Sequence, residues 1–222
     1  LNPEKGGAIC MAEATRNIIA SGATPIGITD GLNFGNPENP EIFWQIEKSV
    51  DGIVSACKAF DIPVIGGNVS LYNERSSLGA VYPTPIIGMV GLIEDLRYIT
   101  TQHVKKAGDQ LFVIGKTATS FGGSELQKAL LGEISGDCPD IDLLNAASLN
   151  QKMLKAIHQG LILSAHDVSE GGIAVSLFEK LTDTGLGANI HIESKDKLGW
   201  LFSEAQHCWI ISTRTVSYTH LR

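Results

Sequence analysis

An α+β fold with two domains is predicted by three features of this sequence. Strand-like and helix-like segments interleave, but without the strict strand–helix–strand rhythm of a doubly wound parallel sheet. A polar, charged junction at residues 94–108 separates two stretches rich in apolar periodicity. The 222 residues could hold one large domain or two small ones, and the junction favours two. The expected boundary lies near residue 100, with an N-terminal α+β domain over 1–100 and an incomplete C-terminal α+β domain over 101–214.

Each element follows from local pattern. Residues 4–20 carry Ala8, Met11, Ala12, Ile18 and Ile19 near helical spacing, and Ser21-Gly22 stops the helix with a left-handed cap. Residues 25–29 form a short strand that delivers Asp30-Gly31 at its end. Residues 32–40, full of Asn, Gly and Pro, are a loop. Ile42, Ile46, Val50, Ile53, Cys57 and Phe60 make one apolar stripe on a helix over 41–60. Val64-Ile65, Gly66-Gly67 and the alternating run after them read as strand, tight turn, strand. Residues 84–93 are apolar and β-branched enough for an inner strand, with Gly88 and Gly91 marking bulges or close contacts.

Beyond the junction, residues 110–114 are a strand, and Gly122-Gly123-Ser124-Glu125 opens a helix. A helix through Leu149, Met153, Leu154 and Ile157 ends at Gly160. Residues 164–172 form a polar bend that opens a helix over 173–181. Residues 189–192 and 208–212 alternate as strands. Residues 215–222 continue no pattern and are expected to be a non-native tail on a truncated chain.

Composition excludes several function classes. A net charge of −7 with no basic cluster argues against nucleic acid and anionic membrane as partners. Cys10, Cys57, Cys138 and Cys208 have no close pairing, which fits reduced thiols in a cytoplasmic protein rather than a disulfide frame or zinc site. No apolar run is long enough to span a bilayer.

The candidate chemistry centres on the stretch 65–74. Adjacent glycines let a ligand approach bare backbone, and Asn68 and Ser70, two apart on an extended chain, point to one face. An amide oxygen beside a hydroxyl suits a phosphate or a hydrated Mg²⁺, although a Gly-Gly pair between strands is as readily a plain hairpin turn. Asp30, after another strand, adds a carboxylate, although a turn or cap role is the commoner use. His166-Asp167 could be a base with its orienting carboxylate, but adjacent residues rarely face each other, so a helix-start anion or structural role is favoured. Gly122-Gly123-Ser124-Glu125 could hold phosphate or simply start a helix. No Walker, dinucleotide-binding or triad signature is present.

Residues 30–45 (Asp-Gly-Leu-Asn-Phe-Gly-Asn-Pro-Glu-Asn-Pro-Glu-Ile-Phe-Trp-Gln) resemble the signature of the phosphoribosylformylglycinamidine synthase family, in its small synthetase-subunit form. Residues 66–74 and His166-Asp167-Val168-Ser169-Glu170-Gly171-Gly172 are similar to the same family in the same order, and the likeness runs from residue 1 to about 214. The resemblance implies an aminoimidazole-ribonucleotide-synthetase-like pair of N- and C-terminal domains, forming the second of two tandem repeats. It implies ATP-dependent conversion of formylglycinamide ribonucleotide and glutamine-derived ammonia to the amidine. The expected partners are the first repeat, a glutaminase subunit and a small bridging subunit. It assigns Asp30 and Gly67 to ATP, Asn68 to Mg²⁺ and Ser70 to the ribonucleotide. No catalytic residue is expected in this chain, because the family's catalytic histidines lie in the first repeat. The family often carries Arg near Cys208, and this sequence departs from that. Two other readings are another ATP-using synthetase of the superfamily acting as a homodimer, and a non-catalytic docking lobe.

Overall fold

The computed structural model describes residues 1–75, 79–118 and 120–214. The tail expected at 215–222 lies outside the described residues.

The first half is two helices on one face of a three-stranded sheet. Helix α1, Pro3–Ala20, starts where Asn2 accepts the Lys5 N–H at 3.0 Å and Pro3 fills a position that needs no donor. It ends at Ser21 and Gly22, the latter at φ +88°. Helix α2, Pro40–Phe60, repeats the device with Asn39 and Pro40 and ends at Asp61 in left-handed geometry. The predicted stripe faces inward: Ile42 and Ile53 are buried with Met11, Ile28 and Phe34, and Ile46, Val50, Cys57 and Phe60 pack against them. The helices touch backbone to backbone, since a side chain at Gly7 would strike the Ser49 carbonyl and one at Gly52 the Glu4 carbonyl.

Strand β1, Thr24–Asn33, is central, with β2, Val64–Ser70, parallel on one side and β3, Thr84–Leu92, antiparallel on the other. Three expectations are corrected here. β2 runs straight through Gly66-Gly67, because both glycines are paired in the parallel ladder with Thr29 and Asp30, so there is no hairpin turn. β1 continues through Leu32 and Asn33, which leaves Asp30 inside a strand and shortens the loop. β3 is an edge strand: among the described residues it pairs only with β1, and Ile86, Val90 and Leu92 face outward, each more than half exposed. Gly91 does make the close contact expected of it, lying against Ile18 and Ala23.

The second half is a smaller antiparallel sheet of three strands, in the spatial order β4, Gln110–Ile114; β6, Cys208–Thr213, in the centre; and β5, Ser164–Val168. Of its helices α3 (Glu125–Leu131), α4 (Leu143–His158), α5 (Gly172–Leu181) and α6 (Lys197–Phe202), α4 packs on one face of the sheet through Met153 and Ile157 and α5 on the other through Ile173 and Leu177. The polar run 164–172 is therefore mostly strand, because β6 supplies it with a ladder from Ser164↔Ser212 to Val168↔Cys208. Residues 189–192 are not a strand, having no pairing partner among the described residues, and α6, capped by Asp196 at the Gly199 N–H (2.8 Å), was not anticipated. Ile19 and Ala20 of α1 enter the same core as Met153, Ile157, Trp209 and Ile211, so α1 belongs to both halves.

Lys180 is fully buried on α5, its Nζ donating to the Gln102 carbonyl at 2.7 Å and to Ser164 Oγ at 2.8 Å. Burial, helped by the charge of Lys105, lowers its pKa to about 7. The unfolded chain then binds one more proton than the folded one above pH 7, so this residue makes stability rise with pH and fall toward neutrality. Between pH 7.5 and 9 the unfolding free energy of the native chain is expected to gain on Lys180→Met by about 1 kcal/mol per pH unit. Urea titrations at several pH values check this, and parallel pH profiles would contradict it.

Candidate functional site

The predicted site residues meet at the β1–β2 pair. The register sets Asp30 beside Gly67, Gly31 beside Asn68, and Asn33 beside Ser70. Because side chains alternate, Asp30 and Gly67 lie on the face of the sheet shared by buried Ile28 and Leu32, while Asn68 and Ser70 share the opposite, outward face. The absence of a side chain at Gly67 is what gives Asp30 its place: a Cβ there would overlap Asp30 Oδ1 and lie 3.2 Å from the Asp30 carbonyl oxygen. Asp30 also faces α2, where burial first and its charge second push the Cys57 thiol up. Among the described residues, β2 has no neighbouring strand on its outer side. A ligand wrapped over this edge can therefore meet Asp30 from one face, Asn68 and Ser70 from the other, and bare backbone between them.

Among the described residues, no cluster of three or more His, Cys, Asp or Glu is placed to hold a metal ion. Asn68 offers one neutral oxygen and Ser70 a second on the same face. That fits Mg²⁺ whose charge is met largely by phosphate oxygens, with this chain contributing a single ligand and no complete cage. Asn73, to which the sequence reading assigned no role, turns its side chain back onto Ser70.

The second polar region forms where α1 meets β5. Contrary to expectation, His166 and Asp167 do approach each other, Nδ1 to Oδ1 being 3.4 Å, while His166 Nε2 lies 2.9 Å from Glu179 Oε2. Burial alone would lower the His166 pKa, but the bonds to Asp167 and Glu179 carry it above its ordinary value. Asp167 Oδ2 stands 3.8 Å from Arg16 Nη2, with side chains 4% and 1% exposed. With both ring nitrogens engaged and its carboxylate turned to a buried guanidinium, His166 is built as a link between elements.

The two glycine-bearing helix starts are joined by a residue that spacing could not reveal. Glu204 Oε1 accepts the Glu125 N–H at 2.7 Å and the Gly171 N–H at 2.9 Å. The anion expected at a helix start is thus the chain's own carboxylate.

Two family descriptions fit this chain. The AIR synthase related protein N-terminal domain matches residues 1–93, and the AIR synthase related protein C-terminal domain matches residues 106–213. Among solved structures, Thermotoga maritima PurL complexed with FGAR is similar at 18% identity and TM-score 0.76, over 100% of this chain and 36% of that one. A HypE–HypF complex is similar at 18% identity and TM-score 0.67, over 96% of this chain and 70% of that one. Thiamine monophosphate kinase from Aquifex aeolicus is similar at 19% identity and TM-score 0.58, over 97% and 74%. At such identities the likeness is one of fold, and the chain spans about a third of the PurL length. With both domains matched in order, over nearly all of its described residues, the chain belongs to the AIR synthase related protein family.

Proposed function

We propose that this chain is the second repeat of a formylglycinamidine ribonucleotide synthetase, with domains over 1–100 and 101–214, contributing one wall of an active site completed by a first repeat. In this reading ATP phosphorylates the amide oxygen of formylglycinamide ribonucleotide, releasing ADP, and ammonia then displaces phosphate to leave the amidine. Asp30 accepts hydrogen bonds from donors on the nucleotide, and Gly67 lets the phosphates close on backbone. Asn68 gives Mg²⁺ one oxygen, and bound Mg²⁺ would offset the charge of the transferring phosphoryl group. Ser70 contacts the ribonucleotide, and the reaction's acid–base groups come from the first repeat. A glutaminase subunit and a small bridging subunit supply the ammonia, in the cytoplasm.

The observation that carries this reading is the paired register of Asp30, Gly67, Asn68 and Ser70 at an uncovered sheet edge. The outer face around it exposes Ile86, Val90 and Leu92, an apolar area that a second half would cover. No helix among the described residues is long and apolar enough to cross a membrane.

The chain alone, given ATP, Mg²⁺, formylglycinamide ribonucleotide and ammonia, is expected to release no phosphate above background. Sustained turnover would contradict the proposal. The greater share of the HypE and thiamine monophosphate kinase chains covered favours a second reading, a homodimeric ATP-using enzyme of the same superfamily. A symmetric dimer that consumes ATP without the ribonucleotide would select it.

A further inference from the structure

The end of β2 is tied into a knot with one side chain at its centre. Asn73 Nδ2 lies 3.1 Å from the Phe34 carbonyl oxygen, 2.9 Å from that of Ser70, and 3.2 Å from Ser70 Oγ. Its backbone N–H donates to the Phe34 carbonyl at 3.1 Å, and its carbonyl accepts the Val81 N–H at 3.1 Å. The ends of β1 and β2 and the lead into β3 therefore converge on this residue. To bring it there the chain reverses at Tyr72, which sits at φ +60°, a conformation that a tyrosine adopts only under restraint. The restraint is visible: the Tyr72 N–H donates to the Gly35 carbonyl at 3.0 Å.

We infer that Asn73 is a positioning residue, which orients the Ser70 hydroxyl for the ribonucleotide; this rests on the reading of Ser70 as a substrate contact. The geometry is specific. A serine hydroxyl rotates freely unless a neighbour occupies one of its lone pairs or its proton. The Asn73 carboxamide faces Ser70 Oγ with both ends, Nδ2 at 3.2 Å and Oδ1 at 3.4 Å, and so restricts the hydroxyl to the directions left open toward the outward face. The strained turn supplies the approach of Asn73, and the two backbone carbonyls it binds prevent the carboxamide from swinging away.

The test is a double-mutant cycle in the whole enzyme, reading KM for formylglycinamide ribonucleotide, kcat and thermal midpoint. Ser70→Ala and Asn73→Ala are each expected to raise KM about tenfold, with kcat changed less than about twofold. The double variant is expected to be no worse than Ser70→Ala, because Asn73 acts through that hydroxyl. An unaltered KM in Ser70→Ala would remove the reading on which the inference rests. A raised KM in Ser70→Ala with no effect of Asn73→Ala, or single effects that multiply in the double variant, would overturn the positioning role and leave that reading intact. If Asn73→Ala does not fold, Asn73→Ser keeps one donor. It is expected to raise KM by a few-fold alone and to have no effect beside Ser70→Ala, and a few-fold further rise there would overturn the inference.

Discussion

Gly67→Ala is expected to lower kcat/KM for ATP by at least about a hundredfold, whereas Gly66→Ala, one residue away, should stay within a few-fold of the native enzyme. The contrast follows from what each new methyl group meets. At Gly67 it would land on Asp30 Oδ1 and come within 3.0 Å of the Asp30 carboxyl carbon. The carboxylate must leave its place, and the new methyl group also crowds the Asp30 carbonyl oxygen at 3.2 Å, which cannot rotate away. At Gly66 the nearest atom is Thr29 Oγ1 at 3.9 Å, an ordinary contact. Steady-state kinetics with varied ATP reads the difference. Equal effects at both positions would show that loss of glycine in the strand matters in general and that Asp30 does not.

Asp167→Ala is expected to destabilise the protein by about 3–5 kcal/mol, the cost of leaving a buried guanidinium without its counter-charge. Arg16 comes from α1 and Asp167 from β5, so the pair fastens the helix shared by both cores to the second sheet. Burial already lowers the Arg16 pKa, with Asp167 and then Glu13 opposing that. Among the described residues, Arg16 Nε and Nη1 have no hydrogen-bond partner, so only the charge of Glu13, the smaller of the two acidic influences, remains when Asp167 is lost. Replacing both residues by apolar ones, Arg16→Met with Asp167→Leu, should return stability to within about 1 kcal/mol of native, since desolvation and attraction disappear together. Urea denaturation of the three proteins measures this. A double variant as unstable as the single one would show that the site depends on its charges for more than mutual neutralisation.

How much of this was legible in the sequence depended on how local the cause was. Helices α1 and α2 could be read because their caps and stripes lie within a few residues: Asn2-Pro3 and Asn39-Pro40 open them, and Ile42 to Phe60 repeat at helical spacing. The site pairing Asn68 with Ser70 could be read because alternation is a property of one strand. What failed was non-local. Gly66-Gly67 looked like a turn, and it is straight only because Thr29 and Asp30, 37 residues earlier, give it a parallel ladder. The polar run Ser164–Val168 is a strand because β6, 40 to 48 residues later, pairs with it. Sequence also could not separate Asp30 from Asn68 onto opposite faces, since that depends on which of Gly66 to Ser70 stands beside Asp30. Glu204 carried no signal, because its two partners lie 79 and 33 residues away. Asn73 stood within the stretch of interest, but only the reversal at Tyr72 turns it toward Ser70.

In the proposed function the edge formed by Gly66 to Ser70 receives the nucleotide with its metal. Amide hydrogen exchange of the whole enzyme, with and without ATP and Mg²⁺, tests it most directly. Slowed exchange is predicted at Gly67, Asn68 and their paired neighbours Asp30 and Gly31, and Asn68→Ala should abolish that protection. Protection confined to other segments, with these four amides unchanged by nucleotide, would rule out this edge as the nucleotide site.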